Sequence, residues 1–303
     1  MCSEFLKYFC MVHSAELLLP DNRAPDRLRS PWCGQLDLTY AHQNGETRPI
    51  HVQTQAPLRV QRPHYPEGRL LCYSTVVHTA GGMVGGDKLV QNIHLQPQSQ
   101  ALITTPAATK VYRSIGPICH QSTTIQLDSE SYLEWFPQET IVFNAAKYYQ
   151  QLRINLEPGA VALLWDVTRF GRTARGECFD VGNWRSDVEV WQGSRPLLID
   201  RQWLPGSSQI LQSSHGLSGM PVVGTFALVG CDVSEELFLK MQNTLQQSDV
   251  PVTHVGLTRG LNGVICRYRG RSSQEARRSF VALWRVIRQF RSGKVPPLPR
   301  LWY

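Results

Sequence analysis

Residues 148–167 read YYQQLRINLEPGAVALLWDV, and the turn sequence EPG at 157–159 divides the stretch into two runs rich in apolar and aromatic residues. In the first run Leu152, Ile154 and Leu156 alternate with polar neighbours, as in a half-buried β-strand. A Pro-Gly pair between two such runs marks the turn that joins them. The stretch therefore predicts a strand, a turn and a second strand.

Runs of this kind recur along most of the chain, separated by turn residues at about 8–12 residue spacing, which is typical of all-β domains. The predicted strands are Leu36–Tyr40, Leu58–Gln61, Leu70–Val77, Leu89–Leu95, Ala101–Thr105, Ile118–Leu127, Tyr148–Leu156, Ala160–Val167, Ser186–Trp191, Leu197–Arg201 and Val222–Val229. No helical pattern precedes about residue 234, which disfavours a doubly wound parallel sheet. The sequence predicts one β-rich body that extends to about residue 233.

Two helices are predicted beyond this body, from about Ser234 to Gln247 and from about Gln274 to Arg291. Ser234 suits the N-cap of the first, and Gly293 suits the end of the second. The apolar stripe of the second helix comprises Phe280, Leu283, Trp284, Ile287 and Phe290. A basic amphipathic helix can bind a membrane or calmodulin. Packing on the sheet with a solvated arginine face is the favoured interpretation.

The charge of the chain is concentrated at its C-terminal end. The formal net charge is +7, and residues 267–303 contain ten basic residues and one acidic residue. The other 266 residues hold 21 basic and 23 acidic residues, so the body is slightly acidic. A basic tail permits nucleic-acid binding, which would make the affinity strongly dependent on salt. The basic character therefore belongs to the tail and not to the body.

Composition excludes several classes of protein. Apolar residues make up 42% of the chain, enough to bury a core, which argues against intrinsic disorder. Neither a membrane span nor a signal peptide is predicted, because the apolar runs are short. The eight cysteines are scattered without any CxxC pair, which indicates reduced thiols and disfavours a zinc site. A cytoplasmic protein is therefore expected.

The glycine cluster that starts at Gly81, GGMVGGDK, resembles a phosphate-binding loop. A Walker A loop places Lys directly after the second glycine and then requires Ser or Thr. Here Asp87 precedes Lys88, and a carboxylate in a phosphate cradle is repulsive. The glycines are instead expected to permit a turn or a close backbone approach, with Asp87 bonding local amides.

Carboxylates are the remaining candidates for chemistry. Those that lie among apolar or glycine-rich neighbours are Asp87, Glu134, Glu139, Glu177 and Asp180. Two of them could act as the acid and base of a glycosidase, although the sequence does not define their separation. The alternative is that each is bonded to a nearby arginine such as Arg172 or Arg175.

Read together, six motifs resemble the UreD family of urease accessory proteins, called UreH in some bacteria. In order they are QAPLRVQRPHYPEG from Gln55, HTAGGMVGGDKL from His78, TTPAATKVYRS from Thr104, LEWFPQETIVFNAAKY from Leu133, FGRTARGE from Phe170, and FVALWRVIRQF with PRLW between Phe280 and Trp302. The match covers about residue 34 to the C-terminus. It implies a single domain over 34–303, with a β-rich body to about residue 233 and a helix-containing part over 234–303, and leaves residues 1–33 as an N-terminal extension whose order and role the sequence does not define.

The resemblance implies a fold and a role. The fold is an elongated, many-stranded β body with β-helix-like or sandwich-like layers and two α-helices near the C-terminus. The role is that of a non-enzymatic scaffold for nickel insertion into apo-urease, in a complex with a UreF-like accessory protein and a UreG-like GTPase. No tightly bound cofactor, nucleic acid or membrane is implied, and Ni²⁺ is only in transit through an internal channel.

For nickel transit, oxygen ligands are suitable because they release the ion, whereas thiolates would trap it. The resemblance makes Asp87, Glu134, Glu139 and Glu177 the candidates for lining the channel, with Arg172 and Arg175 supporting Glu177. For the partner interface it points to the C-terminal segment, where arginine and tryptophan are typical of interface hot spots. The interface candidates are Trp284, Arg285, Arg300 and Trp302. A carbohydrate-active β-rich enzyme with paired carboxylates is the alternative.

Overall fold

A computed structural model of the chain describes residues 31–302. The predicted extension, residues 1–33, lies almost wholly outside this range. The described residues form strands β1 (Cys33–Gln43), β2 (Glu46–Gln55), β3 (Leu58–Val60), β4 (Leu71–His78), β5 (Lys88–Leu95), β6 (Gln100–Thr104), β7 (Thr109–Val111), β8 (Cys119–Leu127), β9 (Tyr132–Phe136), β10 (Thr140–Val142), β11 (Lys147–Leu156), β12 (Val161–Phe170), β13 (Asn183–Gln192), β14 (Arg195–Pro205), β15 (Val222–Val229), β16 (Val255–Gly260) and β17 (Gly263–Gly270). They also form helices α1 (Ser208–Gln212), α2 (Glu235–Gln246) and α3 (Ser273–Ser292), and short 3₁₀ turns at Thr173–Arg175 and Arg300–Trp302.

The strands form two stacked sheets. Sheet I has the order β14-β13-β11-β8-β5-β1-β2, and sheet II has the order β16-β17-β15-β12-β9-β6-β4-β3. From β4 to β13 the chain passes repeatedly from one sheet to the other, so that successive coils stack with parallel pairing. The flanking strands β2, β3, β14, β15, β16 and β17 pair antiparallel. The body is therefore a β-solenoid with antiparallel ends, which confirms the predicted mainly β class.

The glycine-rich stretch between β4 and β5 lies at a corner of the solenoid. The N–H of Met83 donates to the carbonyl of Lys110 at 2.7 Å. Gly82 has a φ of +157°, and a Cβ there would lie 2.6 Å from that same carbonyl oxygen. Only glycine permits this approach without displacement of the backbone. This geometry agrees with the structural interpretation of the glycines.

Sheet II is covered on both faces, and this creates two cores. Side chains such as Leu133 and Leu164 pack between the sheets. Phe136, Phe280 and Trp284 pack between sheet II and the helices. Every residue of β9, which reads YLEWF, is accordingly buried. A strand covered on both faces loses the polar alternation from which strands are recognised, and β9 was not among the predicted strands.

The two C-terminal helices form as predicted. The Ser234 hydroxyl accepts from the N–H of Leu237 at 3.2 Å and caps α2. The Ser272 hydroxyl caps α3, and Gly293, with a φ of +71°, ends it. All eleven predicted strands are present, whereas the helix α1 and the strands β2, β7, β9, β10, β16 and β17 were not anticipated. Of the helices formed by residues 31–302, none combines the length and the apolar character that a membrane crossing requires.

Candidate functional site

A polar cavity of about 70 Å³ lies between the two sheets. Its walls come from strands of both sheets and include His78, Gln91, Gln121, Gln150 and Asp166. Since one water needs roughly 10–15 Å³ of such space, the cavity can hold several waters. These polar residues share the lining with apolar ones such as Leu58, Val76 and Leu152, which are the kind that ordinarily fills the space between stacked sheets.

Two of the lining residues, Gln121 and Gln150, belong to a row of polar residues at one level of the solenoid. Gln121 on β8, Gln150 on β11, Ser186 on β13 and Gln202 on β14 are consecutive register partners. The Tyr148 hydroxyl lies 3.1 Å from an amide oxygen of both Gln121 and Gln150. Neighbouring strands are about 4.8 Å apart, so the row presents a polar group at each such step.

Asp166 on β12 faces this row from sheet II. Its carboxylate accepts from the Ser186 hydroxyl at 3.3 Å and from the Gln150 amide. Burial raises the pKa of Asp166 to about 6, and the charge of Asp200 adds to the rise. Ionisation of the Asp166 carboxyl group inside the cavity is therefore unfavourable unless a cation lies close to it.

The row ends at a second carboxylate. Asp200 on β14 accepts from Arg267 at 2.8 Å, from Gln202 at 2.9 Å and from Thr225 at 3.2 Å. Asp200 is 5% exposed and Arg267 is 48% exposed. The arginine therefore reaches from solvent to a buried carboxylate where the row meets the protein surface.

The raised pKa of Asp166 predicts a pH-dependent stability. Between about pH 4 and pH 6 the folded chain binds more protons than the unfolded chain, so stability falls as pH rises through this window. Asp166→Asn should remove the fall and raise the free energy of unfolding at pH 7 by about 2–3 kcal/mol. Urea unfolding of both proteins from pH 4.5 to 7.5 measures the difference. If the free energies of unfolding of the two proteins changed in parallel with pH, the raised pKa of Asp166 would be contradicted.

The structure holds the four predicted carboxylates apart, and none of them is among the residues that line the cavity. Glu134 on β9 lies on the helix-facing side of sheet II and is fully buried. Its Oε1 accepts from the Tyr132 hydroxyl at 2.6 Å and from Arg288 of α3 at 3.0 Å. Arg288 also donates to Glu67 at 2.6 Å. This arrangement anchors α3 to the sheet.

Asp87 lies at the glycine-rich corner. Its carboxylate accepts from the backbone N–H groups of Trp32 at 2.8 Å and Val84 at 3.0 Å. Burial lowers the pKa of His78, which lines the cavity, and the charge of Asp87 partly opposes this. Asp87 therefore acts electrostatically on one wall of the cavity without lining it.

Glu139 and Glu177 are bonded close to the protein surface. Glu139 accepts from the Ser273 hydroxyl at 3.3 Å. Although partial burial opposes it, hydrogen bonds from Arg172 and from the N–H of Asn144 hold the pKa of Glu177 below its usual value. Arg175, predicted as a second support, lies exposed in the 3₁₀ turn. The transit roles of these residues stay predictions.

The interface candidates divide into two pairs. Trp284 and Trp302 are buried in the helix-side core, with ring centroids 5.1 Å apart. Arg285 and Arg300 are exposed. In this conformation, the arginines are the members of the set that a partner can contact directly.

The sequence prediction did not identify the polar row. Its members Gln121, Gln150 and Ser186 occupy inward positions at which alternation predicts apolar residues, as does Gln91, the register partner of Thr123. Among residues 31–302 no group of three or more His, Cys, Asp or Glu side chains is arranged to hold a metal ion. Amide, hydroxyl and carboxylate oxygens in such a row can hold a divalent cation only weakly.

Comparison with known proteins identifies the family. A sequence model described as "UreD urease accessory protein" matches residues 33–303. The urease accessory protein UreD of Nostoc punctiforme is 51% identical over 271 residues, which cover 89% of this chain and 96% of the relative. That of Acaryochloris marina is 49% identical, covering 89% and 95%, and that of Synechocystis sp. is 39% identical, covering 85% and 96%. The chain belongs to the UreD family of urease accessory proteins.

Proposed function

We propose that the chain is a non-enzymatic scaffold for the insertion of nickel into apo-urease. It acts in the cytoplasm in a complex with a UreF-like accessory protein and a UreG-like GTPase, and Ni²⁺ passes through its interior. Membership of the family supports the part in urease maturation. The observation that carries the internal path is the polar row that joins the cavity to the surface at Arg267.

The chemistry of the row suits an ion in transit. Ni²⁺ accepts oxygen and imidazole ligands, and an isolated amide or hydroxyl oxygen binds it weakly enough to release it. Gln121, Gln150 and Ser186 supply such groups in succession, and Asp166 supplies a charge midway. A path of this kind needs no resident cofactor and no catalytic residue.

The alternative functions receive less support. Glu134 is buried beneath α3 and Glu177 is ion-paired with Arg172, which does not suit a glycosidase acid and base. The basic tail is also partly engaged within the fold, since Arg277 donates to Gln138 and Arg288 is buried between two glutamates. Less of the tail charge is therefore free for phosphates than the sequence suggests. Neither nucleic acid nor membrane is a proposed partner.

Reconstitution tests the proposal. The chain, its UreF-like and UreG-like partners and apo-urease from one organism are purified and combined with Ni²⁺ and GTP. Urease activity is expected to appear in the complete mixture and to fall at least tenfold when this chain is omitted. The matched control omits GTP only. Equal activation with and without the chain would refute the proposed function.

A further inference from the structure

We propose that the end of the polar row is a weak divalent-cation site, and that Arg267 is a tethered counter-cation that occupies its outer half. The ligands are the carboxylates of Asp166 and Asp200 with the neighbouring amide and hydroxyl oxygens. A metal ion binds or leaves here only when the guanidinium moves away from Asp200. The inference rests on the proposed function for the identity of the cargo.

The positions of the two carboxylates carry the first step. Asp166 pairs with Thr225 across sheet II, and Thr225 pairs with Arg267 on the next strand. The Thr225 hydroxyl donates to Asp200 at 3.2 Å, so it links the two sheets directly. Asp166 and Asp200 are close enough for the charge of one to affect the other. Two carboxylates facing one another across a narrow interior attract a cation.

Among the described residues, Arg267 is the cationic side chain that neutralises Asp200. Its Nη1 donates to Asp200 at 2.8 Å and lies 3.2 Å from the Thr225 hydroxyl. No described residue places a cationic side chain on Asp166, whose hydrogen-bond donors are the neutral side chains of Gln150 and Ser186. The carboxylate of Asp166 therefore provides a position at which a mobile cation is stabilised.

The amides can supply further ligands. The Nε2 atoms of Gln150 and Gln202 point at Asp166 and Asp200 respectively. A half-turn of either amide presents its oxygen instead, because the group is a donor at one end and an acceptor at the other. Such a site accepts a hard or borderline divalent cation and holds it weakly.

An independent observation lies at the other end of the cavity. The side chain of Gln91 is 4% exposed, and its Nε2 donates to Thr123 at 3.1 Å. Its Oε1 has no hydrogen-bond partner among the described residues, although it lines the same cavity as Asp166. A buried amide oxygen without a partner is costly, and water or a hydrated cation in the cavity would satisfy it.

Equilibrium dialysis of the full chain against Ni²⁺ tests the site. Arg267→Gln removes the counter-cation and is expected to bind one more Ni²⁺ per chain than wild type, or to bind it at least tenfold more tightly. Arg267→Gln combined with Asp200→Asn should lose this gain. The matched control is Arg269→Gln on the same strand, because Arg269 donates to the carbonyls of Ser214 and Gly216. It should bind Ni²⁺ as wild type does.

A second variant keeps the test decisive. If Arg267→Gln does not fold, Arg267→Met preserves the aliphatic stem and takes its place. Equal Ni²⁺ binding by wild type and by whichever variant folds would overturn the site and leave the proposed function intact. Failure of the wild-type chain in the urease reconstitution would remove the proposed function, while the dialysis result on the isolated chain would still stand.

Discussion

Replacing Arg288 by methionine is expected to lower the free energy of unfolding by about 3–5 kcal/mol, the cost of leaving a buried charge without its partner. Arg288 is 8% exposed and donates to Glu134 and to Glu67. Burial lowers its pKa, but Glu134 and Tyr132 outweigh this and raise it above the usual range. Loss of the guanidinium would leave Glu134 in an apolar interior with only the Tyr132 hydroxyl as a donor.

Chemical denaturation with urea measures the effect. Arg278→Met is the matched control, because Arg278 is exposed on the same helix and its replacement should change stability by less than about 0.5 kcal/mol. Adding Glu134→Leu to Arg288→Met should recover part of the loss, since removal of both charges avoids the unpaired carboxylate. An Arg288→Met variant as stable as wild type would show that α3 is held by its apolar face alone.

The double replacement Gln121→Met and Gln150→Met is expected to reduce nickel-dependent urease activation at least tenfold. Methionine resembles glutamine in length but offers no amide oxygen, and its thioether is only a weak acceptor. Two consecutive steps of the row would then lack a ligand for the ion. The assay is the reconstitution with UreF-like and UreG-like partners, GTP and apo-urease, performed after the folded state of the variant has been verified by its unfolding midpoint.

The matched control for this variant lies on the same strand. Gln126 of β8 alternates with the buried residues Ile125 and Leu127 and therefore lies on the outer face of sheet I. Gln126→Met should leave activation unchanged. Full activation by the double variant, with the partners still co-purifying, would exclude the row as the nickel path.

Much of the fold could be predicted because half-buried strands retain their alternation. The run 148–156 keeps Leu152, Ile154 and Leu156 inward, and both of its limits lie within one residue of β11. The strand β9 could not be recognised in this way, because sheet I covers one of its faces and α3 the other. Its environment depends on a helix more than 130 residues further along the chain.

The polar row could not be predicted from the sequence either, because it also depends on contacts between distant segments. Gln121, Gln150 and Ser186 each read as a single polar residue in an otherwise ordinary strand. They become a row only when the parallel register places them side by side. The predicted carboxylates were selected because their neighbours along the chain are apolar. In Glu134 those neighbours reflect its burial beneath α3, where it binds Arg288, 154 residues further along the chain.

The parallel stacking also limits how the sequence can change in length. The side-chain period of a strand is two, so deleting one residue from the middle of β11 would turn Gln150 outward and bring an adjacent side chain into the cavity. The neighbouring coils would keep their own orientation, and the row would be interrupted at one step. Insertions and deletions in urease accessory proteins of this kind should therefore be confined to the corners between strands, while substitutions within the strands remain permitted.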